Sequence, residues 1–379
     1  MHPYEALGLN RIINADGTKT VLGGSVMPPE VVAAMVAAAG RYVDLPALER
    51  AAGKRIAALI DSPAVEDAAV VCGAAAGLAV ATAACVAGTD GARIRALPHL
   101  DWDGAKDQVV IQRSHVTGFA QNYQLPGPRL VTIGGAAGAS LAEHDAAISE
   151  RTAAVTFLGG ELAGNARFPT GARLAEVVEL AHRRGVPVIV DAAAELPPAE
   201  HLRAFNELGA DLVVFSGGKG MRGPQSSGVV LGRAALVEAC RRNNAPGSAI
   251  GRPMKVGKEE ICGLLTAVEL FVARDHAADA RRWAAWTQLV IEALEGADGV
   301  QVERIVARTV AQARITVDPA RAGIDGATLG AQLAAGDPSI RLGHAGDALL
   351  FNPHMMGEGE AEQVAERLLA VLQAVPVTA

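Results

Sequence analysis

The chain has 379 residues, half of them apolar, which is enough for one large hydrophobic core and a smaller second one. Its 34 Lys and Arg residues stand against 41 Asp and Glu, giving a net charge of −7 without long blocks of like charge. This balance excludes the concentrated basic surface that general nucleic-acid binding requires, so we expect no nucleic-acid partner.

Cysteine usage and the N-terminal residues indicate a compartment. The four cysteines stand far apart, with no C-x-x-C pair and no histidine at metal-ligand spacing: Cys72, Cys85, Cys240 and Cys262. The N-terminal residues lack a charged-then-apolar signal pattern, and no run of about 18 uncharged apolar residues follows. We therefore expect a soluble protein of the reducing cytoplasm, with no membrane partner and no metal.

The first three quarters of the chain alternate between strand and helix patterns. Proline at the first turn predicts helices over residues 30–40 and 46–60. Short apolar runs without helical period predict buried strands over 68–72, 108–111, 130–133, 153–157, 186–190 and 212–215. Helical stretches such as 77–87 and 171–184 separate them, so the sheet should be mainly parallel, with 228–231 as an added antiparallel strand.

A long helical pattern over residues 258–294 precedes a change of texture after Gly299. Strands are predicted there over 300–303, 311–317, 339–342 and 348–351, with helices over 326–334 and 360–372. We predict an N-terminal arm (1–30), a large domain (31–257), a long connecting helical segment (258–297) and a small α+β C-terminal domain (298–379).

Two predicted strands end in residues suited to a ligand, and ligands of open parallel sheets sit at the carboxyl ends of strands. One strand ends in Cys72 and a helix follows, with Gly73, Ala74 and Ala75 between them, so a phosphate could approach the backbone N–H groups. An ordinary tight turn has the same pattern. Another strand delivers Asp191 into an apolar setting, which requires a cationic partner such as a protonated pyridine nitrogen, unless Asp191 caps a helix.

A third strand is followed by the segment Ser216-Gly-Gly-Lys219-Gly-Met-Arg222-Gly-Pro-Gln225. A surface lysine needs no such preparation, whereas a lysine that forms a Schiff base must reach a carbonyl and lose its proton easily. The hydroxyl of Ser216 is placed to bind a cofactor phosphate.

These motifs resemble the selenocysteine-synthase-like branch of the fold-type-I enzymes that use pyridoxal 5′-phosphate (PLP). The resemblance spans nearly the whole chain and is carried by residues 9–15 (LNRIINA), 190–198 (VDAAAELPP) and 216–225 (SGGKGMRGPQ). It implies an α/β fold, with a mainly parallel sheet flanked by helices and a small C-terminal domain. It also implies a homodimer or larger assembly with active sites at the subunit interface, Lys219 as the Schiff-base lysine and Asp191 as the partner of the pyridine nitrogen.

The resemblance extends to further site residues. His115, after the strand at 108–111, resembles the residue that stacks on the cofactor ring and could relay protons; a surface or capping histidine is the alternative. Arg222, Arg252 and Lys255 are candidates for binding a substrate carboxylate or phosphate, or are ordinary surface cations. Thr18, Lys19 and Thr20 are weaker candidates. His344, His354 and the Asp101-Trp102-Asp103 cluster have no metal-ligand partners at sensible spacing, and we interpret them as structural or surface residues.

The reaction type is left more open than the cofactor, because the fold does not specify the substrate. The tRNA enzymes are the least expected relatives in function, since the net charge is −7 and no basic domain precedes Leu9. The segment 216–225 looks closer to the D-glucosaminate-6-phosphate ammonia-lyase-like group of small-molecule enzymes. We therefore predict a lyase that carries out α,β-elimination on a β-hydroxy or sugar-derived amino acid. Racemisation, retro-aldol cleavage, selenium transfer and a catalytically silent PLP-binding homologue are the alternatives.

Overall fold

A computed structural model describes residues 2–162 and 169–374 of the chain. These residues divide into two compact units, Met27–Arg274 and a smaller unit formed by the segments up to Val26 and from Asp275 onward. The predicted boundaries at residues 30, 257 and 297 do not coincide with these junctions. Residues 1, 163–168 and 375–379, which fall within predicted domains, lie outside the described part.

The larger unit contains a seven-stranded sheet with helices around it. Its strands are β2 (Asp67–Val71), β3 (Gln108–Gln112), β4 (Arg129–Ile133), β5 (Thr152–Leu158), β6 (Val188–Asp191), β7 (Leu212–Ser216) and β8 (Gly228–Gly232). Its helices are α2 (Pro29–Ala39), α3 (Leu45–Ile60), α4 (Gly73–Ala87), α5 (Gly91–Ala96), α6 (Leu141–Ala147), α7 (Leu174–Arg183), α8 (His201–Glu207), α9 (Ala234–Arg242) and α10 (Lys258–Ala273). Short 3₁₀ turns cover Arg113–His115, Ala120–Gln124 and Gly159–Glu161.

The strand order is β2-β8-β7-β6-β5-β3-β4. Strands β3 to β7 pair in parallel, while β8 pairs antiparallel with both β7 and β2. The predicted parallel sheet and its added antiparallel strand are therefore confirmed. Because the central strands are buried on both faces, they are the Val- and Ile-rich runs that the sequence showed.

Helix α4 begins earlier than predicted, at Gly73 instead of residue 77. The residues between are alanines, the strongest helix formers, so the first turn closes directly after the strand β2. The helix is buried over most of its length. Its Leu78 and Val80 belong to the same buried cluster as Val214 of strand β7, so the helix packs on the sheet. Its first turn, with unpaired backbone N–H groups, is thereby fixed at the carboxyl end of the sheet.

The smaller unit contains a five-stranded sheet of order β1-β11-β12-β10-β9. Its elements are α1 (Pro3–Ala6), β1 (Ile12–Ala15), α11 (His276–Leu294), β9 (Val300–Ala307), β10 (Val310–Val317), α12 (Pro319–Ala322), α13 (Gly326–Ala335), β11 (Ser339–Ala345), β12 (Ala348–Phe351) and α14 (Glu360–Gln373), with 3₁₀ turns at Thr20–Leu22 and Pro353–Met355. The predicted strands and helices of the C-terminal region are all present.

Two features of this unit differ from the sequence prediction. The predicted N-terminal arm contributes strand β1, which pairs in parallel with β11 and buries Ile13 and Ala15. The predicted helical segment from residue 258 is two helices, because α10 ends at Ala273 and α11 begins at His276, capped by the Asp275 side chain. No helix among the described residues is long and apolar enough to cross a membrane.

Candidate active site

A small cavity lies at the carboxyl ends of three neighbouring strands of the larger unit, β3, β5 and β6. Its floor comes from those strands and its wall from the loop that follows β3. It is lined by Ile111, His115, Thr117, Phe119, Ala120, Tyr123, Thr156, Phe157, Leu158 and Asp191. Two predicted site residues, His115 and Asp191, therefore meet at the position where open parallel sheets bind ligands.

Asp191 is the last residue of β6 and is only 9% exposed. Its Oδ1 atom accepts a hydrogen bond from the N–H of Ala193 at 3.0 Å, and the next helix begins only at His201, so Asp191 does not cap a helix. Burial raises the pKa of the Asp191 carboxyl above its usual range, against the Ala193 hydrogen bond and the positive charge of Lys219, which lower it. A cation beside this carboxylate would stabilise its charged form.

Lys219 lies half-buried in a tightly packed loop between β7 and β8. The loop closes where the N–H of Gly223 donates to the carbonyl of Gly217 at 2.8 Å. Gly220 approaches the backbone of Leu196 so closely that a Cβ atom at Gly220 would stand 2.5 Å from the Leu196 carbonyl oxygen. The glycines of the motif thus hold the backbone around Lys219 in one compact arrangement, within electrostatic reach of Asp191.

A cradle of backbone groups forms beside this loop. Ser216 at the end of β7 is paired with Gly228 at the start of β8. A Cβ atom at Gly228 would stand 2.8 Å from the carbonyl carbon of Gly73 and 3.0 Å from the nitrogen of Ala74, in the first turn of α4. Since no side chain fits at Gly228, the strand and the helix N-terminus lie in direct contact. Gly73 and Ala74 were predicted to bind a phosphate together with Ala75, and they lie next to Ser216.

His115 is 4% exposed and lies in the 3₁₀ turn after β3. Its Nδ1 atom accepts a hydrogen bond from the N–H of Leu158 at 3.1 Å, and its ring meets the edge of Phe157 with the ring centroids 4.8 Å apart. Burial, with a smaller effect of the nearby His144, lowers the pKa of His115 to about 4. The imidazole is therefore neutral at physiological pH, and the surface or capping interpretation is wrong.

Four side chains around the end of β3 carry buried polar atoms that have no hydrogen-bond partner among the described residues. They are Gln112 Nε2, Ser114 Oγ, His115 Nε2 and His144 Nε2. The other polar atoms of Gln112 and His144 are used, since Gln112 Oε1 accepts from the N–H of Ala139 and His144 Nδ1 donates to the carbonyl of Ser140. Of these four residues His115 lines the cavity itself, so its Nε2 atom is available to a polar ligand there.

None of the three predicted cations is among the described residues that line the cavity. Arg222, in the Lys219 loop, is half-buried with a left-handed φ of 58°, a conformation that costs a non-glycine residue about 1–2 kcal/mol and is common at functional sites. Arg252 and Lys255 lie on an exposed turn and do not line the cavity. Their predicted contact with substrate stays a prediction.

The weaker candidates of the N-terminal segment belong to the smaller unit. Lys19 is exposed and its Nζ atom lies 3.4 Å from Asp16, and Thr20 begins a 3₁₀ turn. His354 packs edge-on against Trp283, as a structural residue would. Among the described residues, no group of three or more His, Cys, Asp or Glu side chains is arranged to hold a metal ion.

The residues that form the wall of the cavity have no signal in the sequence. Thr117, Phe119, Ala120 and Tyr123 follow His115 in an irregular loop that has no strand or helix periodicity, so nothing in the pattern marked them. Thr156 was inside a predicted strand but has no motif around it. A polar residue at the carboxyl end of a buried strand is the one signal that would have identified Thr156.

Comparison with known proteins identifies relatives over nearly the whole chain. The family described as SelA, L-seryl-tRNA selenium transferase, matches residues 12–333. The 5'-C-glycyluridine monooxygenase-decarboxylase of a Streptomyces species is 38% identical over 97% of this chain and 92% of that protein. The D-glucosaminate-6-phosphate ammonia lyase of Salmonella typhimurium is 31% identical over 98% of each chain.

Solved structures agree with the predicted fold. The structure of D-glucosaminate-6-phosphate ammonia-lyase matches with a TM-score of 0.84, at 29% identity over 99% of both chains. A variant of serine palmitoyltransferase from S. paucimobilis with a bound PLP–myriocin aldimine matches with a TM-score of 0.59, at 14% identity over 97% of this chain and 88% of that chain. The fold is therefore the fold-type-I fold of PLP-dependent enzymes, and the resemblance drawn from the Asp191 and Lys219 segments is confirmed.

Proposed function

Because this chain belongs to the L-seryl-tRNA selenium transferase (SelA) family, we propose that it is a PLP-dependent lyase that releases ammonia from a β-hydroxy or sugar-derived amino acid. The observation that carries the proposal is the buried Asp191 carboxylate at the end of β6, within electrostatic reach of Lys219. The names of two relatives support the substrate class, because one specifies a sugar-derived amino acid, D-glucosaminate 6-phosphate, and the other a glycyl group attached to a nucleoside, 5'-C-glycyluridine. With a net charge of −7, a small molecule is a better substrate than tRNA.

The residues at the site fit PLP. Lys219 would bind the cofactor's aldehyde carbon as a Schiff base, and the Asp191 carboxylate would pair with its pyridine nitrogen. The backbone N–H groups of the first turn of α4 and the hydroxyl of Ser216 would hold the phosphate, where the close approach at Gly228 leaves a cradle of backbone groups. His115 would lie against the ring. This set is Gly73, Ala74, Ala75, His115, Asp191, Ser216 and Lys219.

Bound PLP supplies an electron sink for the negative charge left at the substrate's Cα atom. The Lys219 amine would take the Cα proton, and the bond from Cβ to its hydroxyl oxygen would then break, the hydroxide leaving with a proton as water. Hydrolysis takes up one water and gives ammonia and a 2-oxo acid. Arg222, Arg252 and Lys255 are the proposed partners of the substrate's carboxylate or phosphate, Arg222 with the strongest support because it follows Lys219 in the same loop.

We also propose a homodimer or larger assembly in the cytoplasm. Large apolar side chains beside the cavity are exposed in the single chain, namely Phe119 (62%), Leu125 (48%) and Val116 (45%). Phe119 lines the cavity itself. Such side chains are usually covered by a partner, so a second copy at this surface would enclose the site.

One observation favours a second candidate function. The relative with 38% identity is a monooxygenase-decarboxylase, and that identity exceeds the 31% of the ammonia lyase. The same cofactor-binding residues would then serve the loss of the substrate carboxylate with consumption of O₂. The two candidates differ in their products, because elimination releases ammonia without consuming O₂.

The test begins with the cofactor. Protein purified with PLP should be yellow, and borohydride reduction should fix a pyridoxyl group on Lys219, which peptide mapping detects. An adduct on another lysine would overturn the assignment. D-Glucosaminate 6-phosphate, 5'-C-glycyluridine and a panel of D- and L-β-hydroxy amino acids are then assayed for ammonia, 2-oxo acid, CO₂ and O₂ uptake. Ammonia and 2-oxo acid without O₂ uptake support the lyase, whereas CO₂ release coupled to O₂ uptake supports the second candidate.

A further inference from the structure

Tyr123 is a buried tyrosine in the wall of the cavity that the sequence did not mark. It lies in the 3₁₀ turn Ala120–Gln124 and is 4% exposed. Its side chain lines the same cavity as Asp191 and His115. The other two tyrosines, Tyr4 and Tyr42, are 64% and 104% exposed, so Tyr123 is the buried tyrosine of this protein.

A buried carboxylate such as that of Asp191 needs more hydrogen-bond donors than one backbone N–H group. Its Oδ1 atom accepts a hydrogen bond from the N–H of Ala193, and a buried ionised carboxylate is stable only when its remaining lone pairs are also satisfied. Two charged residues act on it, Lys219, which favours its ionised form, and Glu195, which opposes that form. A neutral donor that faces the cavity would therefore add directly to the stability of the charge.

The candidates for that donor are Tyr123 and His115, since both line the cavity with Asp191. Burial raises the pKa of Tyr123 well above its usual range, and the negative charge of Asp191 raises it further. His115 is instead assigned to the face of the cofactor ring in the proposed function. Asp191 is thus electrostatically coupled to the tyrosine, which stays protonated and can only act as a hydrogen-bond donor to a carboxylate.

We propose that Tyr123 is a positioning residue for Asp191, whose hydroxyl donates a hydrogen bond to the carboxylate in the cofactor-loaded enzyme and keeps it ionised for the pyridine nitrogen. The inference rests on the proposed function, because it assigns Tyr123 a role toward PLP. It adds a residue that acts through Asp191.

The experiment measures the Kd for PLP by absorbance titration at several pH values, for wild type, Tyr123→Phe and the control Tyr42→Phe on the exposed tyrosine. A hydrogen bond to a charged group is lost in Tyr123→Phe, so its Kd should rise about tenfold to a hundredfold at neutral pH. The increase should grow as the pH is lowered, because a less stabilised Asp191 takes up a proton at higher pH. Tyr42→Phe should match wild type.

A double-mutant cycle separates this role from a packing role. Tyr123→Phe added to Asp191→Asn should raise the Kd by less than twofold, because the charge that the hydroxyl serves is absent. An equal loss in both backgrounds, or a loss that does not vary with pH, contradicts the proposal, as does an unchanged Kd in the single variant. If wild type fails to bind PLP, the proposed function itself is wrong.

Thermal unfolding of the PLP-free variants checks the fold. If Tyr123→Phe does not fold, the tyrosines of wild type and Asp191→Asn are titrated by tyrosinate absorbance instead. The pKa of the buried tyrosine should be lower in Asp191→Asn, and an unchanged pKa overturns the inference.

Discussion

The backbone N–H of Leu158 donates a hydrogen bond to Nδ1 of His115 at 3.1 Å. An N–H group can only donate, so Nδ1 carries no proton and the neutral ring carries its proton on Nε2. The lowered pKa of about 4 keeps the ring neutral across the physiological range. In the proposed reaction His115 would therefore act as a hydrogen-bond donor and pack flat against the cofactor ring, and it would be poorly suited to exchange protons with the substrate.

Replacing His115 with Phe tests this assignment. The ring is kept and no titrating group is lost, so we expect the rate of 2-oxo acid production to fall by less than about tenfold, whereas loss of a general acid or base costs about a hundredfold or more. The profile of rate against pH should keep its shape between about pH 5.5 and 8. The N–H of Leu158 loses its acceptor, so the free energy of unfolding should fall by about 1–3 kcal/mol in urea titrations. A hundredfold loss of activity or a displaced pH profile would restore the proton relay.

Asp191→Asn tests the pyridine partner. The amide keeps an acceptor for the N–H of Ala193 but carries no charge, so we expect PLP to be retained in part and kcat to fall by about a hundredfold or more, as expected when a buried ion pair is broken. Asp101→Asn, at an exposed position, is the matched control. Both variants are assayed for PLP content by absorbance and for 2-oxo acid. Activity within a few-fold of wild type would remove Asp191 from the site.

The parts of this protein that the sequence predicted are those in which one local pattern dictates one outcome. Apolar runs such as residues 212–215 have no helical period and could only be buried strands, and the residues after them lie at one edge of the sheet by topology alone. Asp191 and Lys219 were found in this way. Tyr123 was not, because an irregular loop is positioned by tertiary packing, and its burial has no signature in the neighbouring residues.

Short pairings were missed for a related reason. Strand β1 is only four residues long, and its partner β11 lies more than 300 residues away, so local propensity does not predict their pairing. The start of α4 at Gly73 was missed because the glycine and alanine run reads as a turn until the sheet beneath it is known. Exposed cations such as Arg252 are the hardest to assign, since surface and substrate-binding arginines share the same sequence pattern.

A buried carboxyl group far along the chain from the site provides a prediction for stability. Glu49 in α3 is 6% exposed, and its Oε1 atom has no partner among the described residues. Burial raises the pKa of Glu49 to about 7, against the charges of Arg241 and Arg50, which lower it, while the charge of Glu238 raises it. The folded protein thus holds a proton that the unfolded chain releases near the ordinary value of 4.5.

Since the folded state binds this proton more tightly, the contribution of Glu49 to stability is complete below pH 4.5 and is lost as the pH rises to about 7. The difference in pKa corresponds to roughly 3 kcal/mol. We expect Glu49→Gln to be more stable than wild type above pH 7, by up to this amount, and equally stable near pH 4.5. Urea unfolding across this range measures the difference, with the exposed Glu150→Gln as control. A constant difference at all pH values would show that Glu49 does not titrate in this window.

The choice between elimination and racemisation depends on which proton donor or leaving group lies next to the Cα carbanion. Racemisation needs a second acid on the face opposite Lys219, whereas elimination needs a leaving group on Cβ and one proton donor to it. His115, proposed above to lie against the cofactor ring, is the candidate for that second acid. Its pKa of about 4 leaves it as the neutral imidazole at physiological pH, and a neutral imidazole is a poor source of protons. We therefore expect a β-hydroxy amino acid in deuterated water to give ammonia and 2-oxo acid, with little of the opposite enantiomer. Chiral chromatography with mass spectrometry reports both outcomes. Rapid formation of the opposite enantiomer carrying deuterium on Cα, without ammonia, would establish the racemase and exclude the lyase.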